Sequence, residues 1–241
     1  MHSSIVYLVG LLAVTSTASP TLKGCPRKIG VKGVSVRLPP RFDPNYAHSK
    51  WVEPPLNWYF KPWYTIYATN EQYVAFRNLQ YDPTAIDPLD PAGPVNDLFS
   101  FQLKNNDTIH TTYGVDTPNP KYPAVLSYNA TGIIAGATSE YSILTWGCDA
   151  TGAPYYSSYS TETVKTKTPA GIDILSVNPK GPDEATTNAI LNALENLNNE
   201  EIKGWARNLT KVAYDGARDG QPRTVCDDYC KTNQNLLGLL G

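Results

Sequence analysis

The chain has 241 residues, a formal charge of −2 and a pI near 5.9, which leaves no basic face for nucleic acid. Sixteen Tyr and five Trp against five Phe and one Met point to surfaces that join apolar area to hydroxyl and indole donors. No stretch approaches the roughly 20 apolar residues of a membrane span, so no membrane span is expected.

His2 precedes an apolar run from Ile5 to Val14, and small residues from Thr15 to Ser19 follow ahead of Pro20. This pattern predicts a cleaved secretory leader over residues 1–19 and passage through the secretory pathway, either secreted or lumenal. Acceptor sequons at Asn106, Asn129 and Asn208 predict glycosylation there. The roughly 220 residues beyond the leader suit one all-β domain.

Residues 20–57 are rich in Pro and basic residues without periodicity, which predicts an extended wrapping segment. A barrel is expected over residues 58–181. The first strand is Trp63-Tyr64-Thr65-Ile66-Tyr67-Ala68, and alternation puts Trp63, Thr65 and Tyr67 on one face. A second strand is expected over residues 72–81, with Tyr73, Ala75 and Arg77 sharing a face. Residues 82–97 are rich in Pro and Asp and predict a loop, free to act as a lid at a barrel mouth.

A hairpin follows over residues 98–103 and 108–115, with Phe99, Phe101 and Leu103 on one face and His110, Thr112 and Gly114 on one face of the return strand. Tyr113 falls on the opposite face. Further strands are expected over residues 124–128, 132–137, 141–148, 155–164 and 171–177. In the third of these, alternation points Tyr141 and Trp146 to opposite faces.

Residues 182–241 form the rest of the same domain. Pro182-Asp183-Glu184 opens a helix carrying Ile190, Leu194 and Leu197, and Asn198 or Asn199 caps a second with Ile202, Trp205 and Leu209. Four cysteines in a secreted chain imply two disulfides with three possible connectivities. The short spacing of Cys226 and Cys230 permits a local clip, which leaves Cys25 to reach Cys148.

Beyond the leader the histidines are His48 and His110, and no set of residues has metal-ligand spacing. No Gly-x-Ser-x-Gly elbow, phosphate-binding glycine loop or dinucleotide fingerprint is present. Neither a metal nor a cofactor is expected. What the composition supports is confinement of apolar reactants, with hydrogen-bond donors placed where charge develops.

Trp63-Tyr64 resembles the first-strand signature of the lipocalin family. Gly24-Cys25-Pro26 is similar to the start of its apolipoprotein-D-like members. The run from Tyr141 to Cys148 looks like their Cys-ended strand, and Ile174-Leu175-Ser176-Val177-Asn178-Pro179 like the last strand and helix start. The resemblance spans roughly residues 24–210 and implies an up-and-down antiparallel β-barrel with C-terminal helices packed outside. Two positions depart from the pattern. Lys61 stands where the family has glycine, and Val177 where it has the arginine that packs on the tryptophan.

Within the superfamily the chain most resembles secreted fungal hetero-Diels–Alderases of tropolone–sesquiterpene pathways. That resemblance implies confinement of a quinone-methide diene and a humulene-type alkene, with formation of the quinone methide by loss of water. The alternative is a non-catalytic carrier of a hydrophobic small molecule. The expected catalytic residues are Arg77, as binder of an anionic tropolonate, His110 and Tyr67. The expected substrate contacts are Trp63, Tyr73, Phe101, Tyr141, Trp146 and Tyr159.

Overall fold

The computed structural model describes residues 34–43, 51–55 and 57–239. Eight strands close into an antiparallel barrel: β1 (Trp63–Ala68), β2 (Phe76–Tyr81), β4 (Val95–Leu103), β5 (Ile109–Pro118), β6 (Val125–Ala130), β7 (Thr138–Cys148), β8 (Pro154–Ser160) and β9 (Gly171–Ser176). Strand β9 returns to β1 through Tyr64↔Ser176 and Ala68↔Asp173. Closure removes the outer edge strands that an open sheet would expose. Two-residue strands β3 (Thr84–Ala85) and β10 (Thr210–Lys211) add to β4 and β1.

Four short helices stand among the described residues: α1 (Glu71–Ala75), α2 (Glu184–Glu195), α3 (Glu200–Arg207) and α4 (Asp228–Lys231). Asp183 caps α2 by accepting from the Thr186 amide at 2.9 Å, and Asn199 caps α3 by accepting from the Ile202 amide at 2.9 Å. Ile190 and Leu194 stand one turn apart on α2 and are fully buried against Ile202 of α3 and Leu144, Ile172 and Ile174 on the outside of the barrel. Each such burial stabilises by about 1.5–3 kcal/mol. The helices therefore pack outside, as the resemblance implies. No helix of the described residues is long and apolar enough to cross a membrane.

Several local expectations change. Residues 72–75 are not strand but the one-turn helix α1, because Asn70 accepts from the Gln72 amide at 2.9 Å and turns the chain before β2 begins. Residues 132–137 contain a 3₁₀ turn, Gly132–Ile134, in place of a strand. Gly132 has φ 57°, and a Cβ there would run into the backbone of Thr232, so the position needs glycine. The Pro- and Asp-rich segment is partly in the sheet, since Thr84 and Ala85 pair with Asn96 and Val95. It joins the end of β2 to the start of β4, at the barrel end that carries Trp63, and so does not cover the mouth.

That end is closed by aromatic packing. Trp58 stands 4.9 Å from Trp146 and 5.3 Å from Trp63, and Trp63 meets Tyr156 edge-on at 4.7 Å. Lys61 and Val177, the positions that depart from the lipocalin pattern, lie at this end, with Val177 packed against the aromatic cluster. Lys61 lies 4.7 Å over the Trp58 ring, and Arg223 from the C-terminal segment donates to the Trp63 carbonyl at 2.7 Å and to Asp82 at 2.7 Å. Burial lowers the Lys61 pKa to about 8. Cys226 and Cys230 are bonded as their spacing permits. Cys148 is also disulfide-bonded; its expected partner Cys25 lies outside the described residues, as does the expected leader.

Candidate functional site

The barrel encloses a cavity of about 500 Å³. Its rim is set by the β1–β2 and β8–β9 connections, with Gln72, Tyr73, Thr163 and Thr168, and by Leu236 and Leu239 of the C-terminal segment. One wall is mostly apolar, with Leu79 on β2 and Phe99, Phe101 and Leu103 on β4 beside Tyr81 and Asp97. The facing wall carries hydroxyls, with Tyr128 on β6, Tyr141 on β7, and Tyr156 and Ser158 on β8. Burial pushes the Tyr128, Tyr141 and Tyr156 hydroxyls up from the usual range, so at neutral pH all three are protonated donors.

Three register shifts decide which sequence-predicted residues reach this space. Between Thr65 and Tyr67 the pairing of β1 with β9 slips, so Tyr67 sits opposite Ile174 and turns outward beneath the helices, where it packs in the outer core. Strand β2 slips between Arg77 and Gln80, at Asn78 with φ 52°. Arg77 then points out of the barrel and pairs with Asp107 and Asp215. A third slip between Ile143 and Thr145 brings Tyr141 and Trp146 to the same inner face, although alternation separates them. Each is the face reversal that one extra residue imposes on a period of two.

Of the expected substrate contacts, Tyr73, Phe101 and Tyr141 line the cavity. Trp63 and Trp146 belong to the aromatic floor beneath it, and the Trp146 indole donates to the Val52 carbonyl at 2.8 Å. Tyr159 faces outward, accepts from Arg41 at 2.8 Å and packs 5.2 Å from Trp205. His110 stacks on Phe101 at 5.7 Å, and its Nε2 is buried with no hydrogen-bond partner. Asn106, Asn129 and Asn208 are exposed.

The cavity also holds residues that the sequence reading passed over. Asp97 on β4 and Asp173 on β9 line it, and Asp116 on β5 is fully buried next to Asp97. Asp97 pairs across the ladder with Gly114, two residues before Asp116 on the same inward face, so the two carboxyls are diagonal neighbours. They interact side chain to side chain. Tyr81 donates to Asp116 at 3.4 Å, and Tyr59 from below meets the Tyr81 hydroxyl. Burial raises the pKa of Asp97 and of Asp116, the latter also through the charge of Asp97. Burial alone raises Asp173 to about 7. Among the described residues no Lys, Arg or His lines the cavity.

A signal for these carboxylates was present. Asp97 extends the alternation of Phe99, Phe101 and Leu103, and Asp116 extends that of His110, Thr112 and Gly114. An acidic residue in phase with the inward face of a strand is costly unless protonated or paired.

The architecture is consistent with a lipocalin-like fold. No family model matches the sequence. The chain is similar to a fungal protein, "Botcinic acid biosynthesis cluster B protein 12" of Botryotinia fuckeliana (strain B05.10), with 26% identity over 210 residues. The match covers 85% of this chain and 94% of that relative.

Proposed function

We propose that the chain acts in fungal secondary-metabolite biosynthesis as a cofactor-independent hetero-Diels–Alderase. Its cavity would hold a quinone-methide diene and a humulene-type alkene in one relative orientation. The observation that carries this reading is the two-sided cavity, with apolar side chains on β2 and β4 facing tyrosine hydroxyls on β6, β7 and β8. Cycloaddition needs two apolar partners stripped of relative freedom before reaction. Charge grows on the quinone-methide oxygen as the bonds form, and fixed hydroxyl donors stabilise it. Similarity to a biosynthetic-cluster protein supports the metabolic setting. The leader and three sequons support a reaction site within or beyond the secretory pathway.

The test is to incubate purified protein with a quinone-methide precursor and a humulene-type alkene, following product formation and its stereochemistry. Faster formation of one stereoisomer than in buffer is the expected result. Binding of both partners with no change in rate or stereochemistry would replace this reading with that of a carrier.

A further inference from the structure

The geometry points to Asp97, backed by Asp116, as the proton donor of the cavity and Asp173 as its proton acceptor, acting on a neutral hydroxylated substrate that loses water. This assignment rests on the cyclase reading above and specifies the step that would generate the diene.

The cavity is lined by two carboxyls, with a third buried beside Asp97, and by no cation among the described residues. Two carboxylates in contact repel, and Asp116 Oδ1 faces no donor, so the pair is stable when it shares one proton. The titratable groups that act on the carboxyls or feel their charge are Tyr73 from α1, Tyr81 from β2, Tyr113 on β5, Tyr128 from β6 and Tyr156 from β8. All are neutral at physiological pH. An anionic substrate would therefore meet uncompensated negative charge. A neutral one with an oxygen to protonate and a proton to give up fits the site.

Strands β4 and β9 are separated around the barrel by β2 and β1, so Asp97 and Asp173 flank the space from different walls. Tyr73 feels the charge of both. In the step, Asp97 passes the shared proton to the leaving hydroxyl, and the carbon–oxygen bond breaks with its electron pair departing on water. The Asp173 carboxylate takes the proton of the substrate's ring hydroxyl. That O–H pair becomes a carbonyl π bond as a carbon–carbon double bond forms at the carbon that lost water. One water is released, no oxidant or reductant is needed, and the proton on Asp173 returns to Asp97 through solvent after product leaves. Asp116 is a positioning residue, acting through the proton it shares.

Four measurements on the full chain test this. Competition against bound Nile red at pH 8 needs no variant; tetradecanol is expected to displace the dye at a concentration about tenfold below that of myristate, and equal displacement overturns the neutral-substrate assignment. Conversion of a hydroxymethyl-phenol precursor is expected to fall by about 100-fold or more in Asp97→Asn and Asp173→Asn, while the exposed-loop variant Asp87→Asn matches wild type. Rates within twofold of wild type in both cavity variants, with unfolding curves showing them folded, overturn the acid–base pair. So does a wild-type protein that does not speed water loss.

The third measurement is the pH profile. In Asp116→Asn the alkaline fall in rate is expected to move to lower pH, because the last proton held by the Asp97–Asp116 pair no longer leaves two adjacent negative charges behind; an unmoved profile overturns the shared proton. Supplying separately generated quinone methide distinguishes the two readings. If Asp97→Asn still joins it to the alkene, both stand. If even wild type does not join it, the cycloaddition reading fails while the water-loss result still decides the acid–base pair.

Discussion

The Asn233 side chain takes the place of a neighbouring strand for Tyr113. Its Nδ2 donates to the Tyr113 carbonyl at 2.8 Å, and its Oδ1 accepts from the Tyr113 amide at 2.8 Å. Asn235 accepts from the Thr111 amide at 2.8 Å in the same manner. Strand β6 pairs with β5 only from Gly114 onward, so these two carboxamides cover the backbone that β6 leaves open. The segment they anchor carries Leu236 and Leu239 to the cavity rim.

Asn233→Ala is expected to destabilise the protein by about 1–3 kcal/mol, since it strands the buried Tyr113 amide and leaves the Tyr113 carbonyl only its longer bonds from Thr131. Urea unfolding measures this. The same variant should release Nile red faster than wild type in stopped flow, because the rim loses its anchor. An unchanged midpoint would mean that water replaces both bonds without cost.

Arg77→Ala and Tyr67→Phe are expected to leave product formation unchanged, because Arg77 is paired with Asp107 and Asp215 outside the barrel and Tyr67 packs beneath the helices. Loss of turnover with unfolding unaffected would show that one of them reaches substrate.

Stability is expected to fall as pH rises from about 4 through 7. Asp97, Asp116 and Asp173 all have folded-state pKa values raised by burial, Asp173 to about 7. Their native state binds protons more tightly than the unfolded chain, so the stabilisation is complete below the unfolded value and is lost as pH passes the folded one. For Asp173 the change is roughly 2–4 kcal/mol. Urea midpoints taken from pH 4 to 8 should decline, and Asp173→Asn should flatten part of the slope. Asp183 and Asp215 shift downward and act in the opposite sense at more acid pH.

Gly114→Ala would place a methyl group against the Tyr128 ring and 2.7 Å from the Asn129 carbonyl. The expected loss is about 1–3 kcal/mol, together with displacement of Tyr128 from the cavity wall. Denaturation and a weakened Nile red affinity check both effects.

Much of the wall was legible in the sequence. Trp63–Ala68 is a strand with the expected limits, Asp183 caps the helix that opens there, and Asn199, one of the two expected candidates with Asn198, caps the next. Alternation within β4 placed Phe99 and Phe101 together, and they share the cavity. These features are local, set by side-chain type over two to four residues. Tyr67, Arg77 and the pair Tyr141 and Trp146 were misplaced because each lies near a register slip, and a slip is a property of two strands.

The sequence by itself determined an all-β chain with capped helices at its C-terminal end, rich in tyrosine and poor in nucleophiles. Only the tertiary structure decided which side chains face inward. It also brought Asp97 against Asp116 across the ladder and set Asp173 on another wall of the same cavity. The physical reason is that a strand's period fixes which residues share a face, while barrel closure and its bulges fix which face is inside.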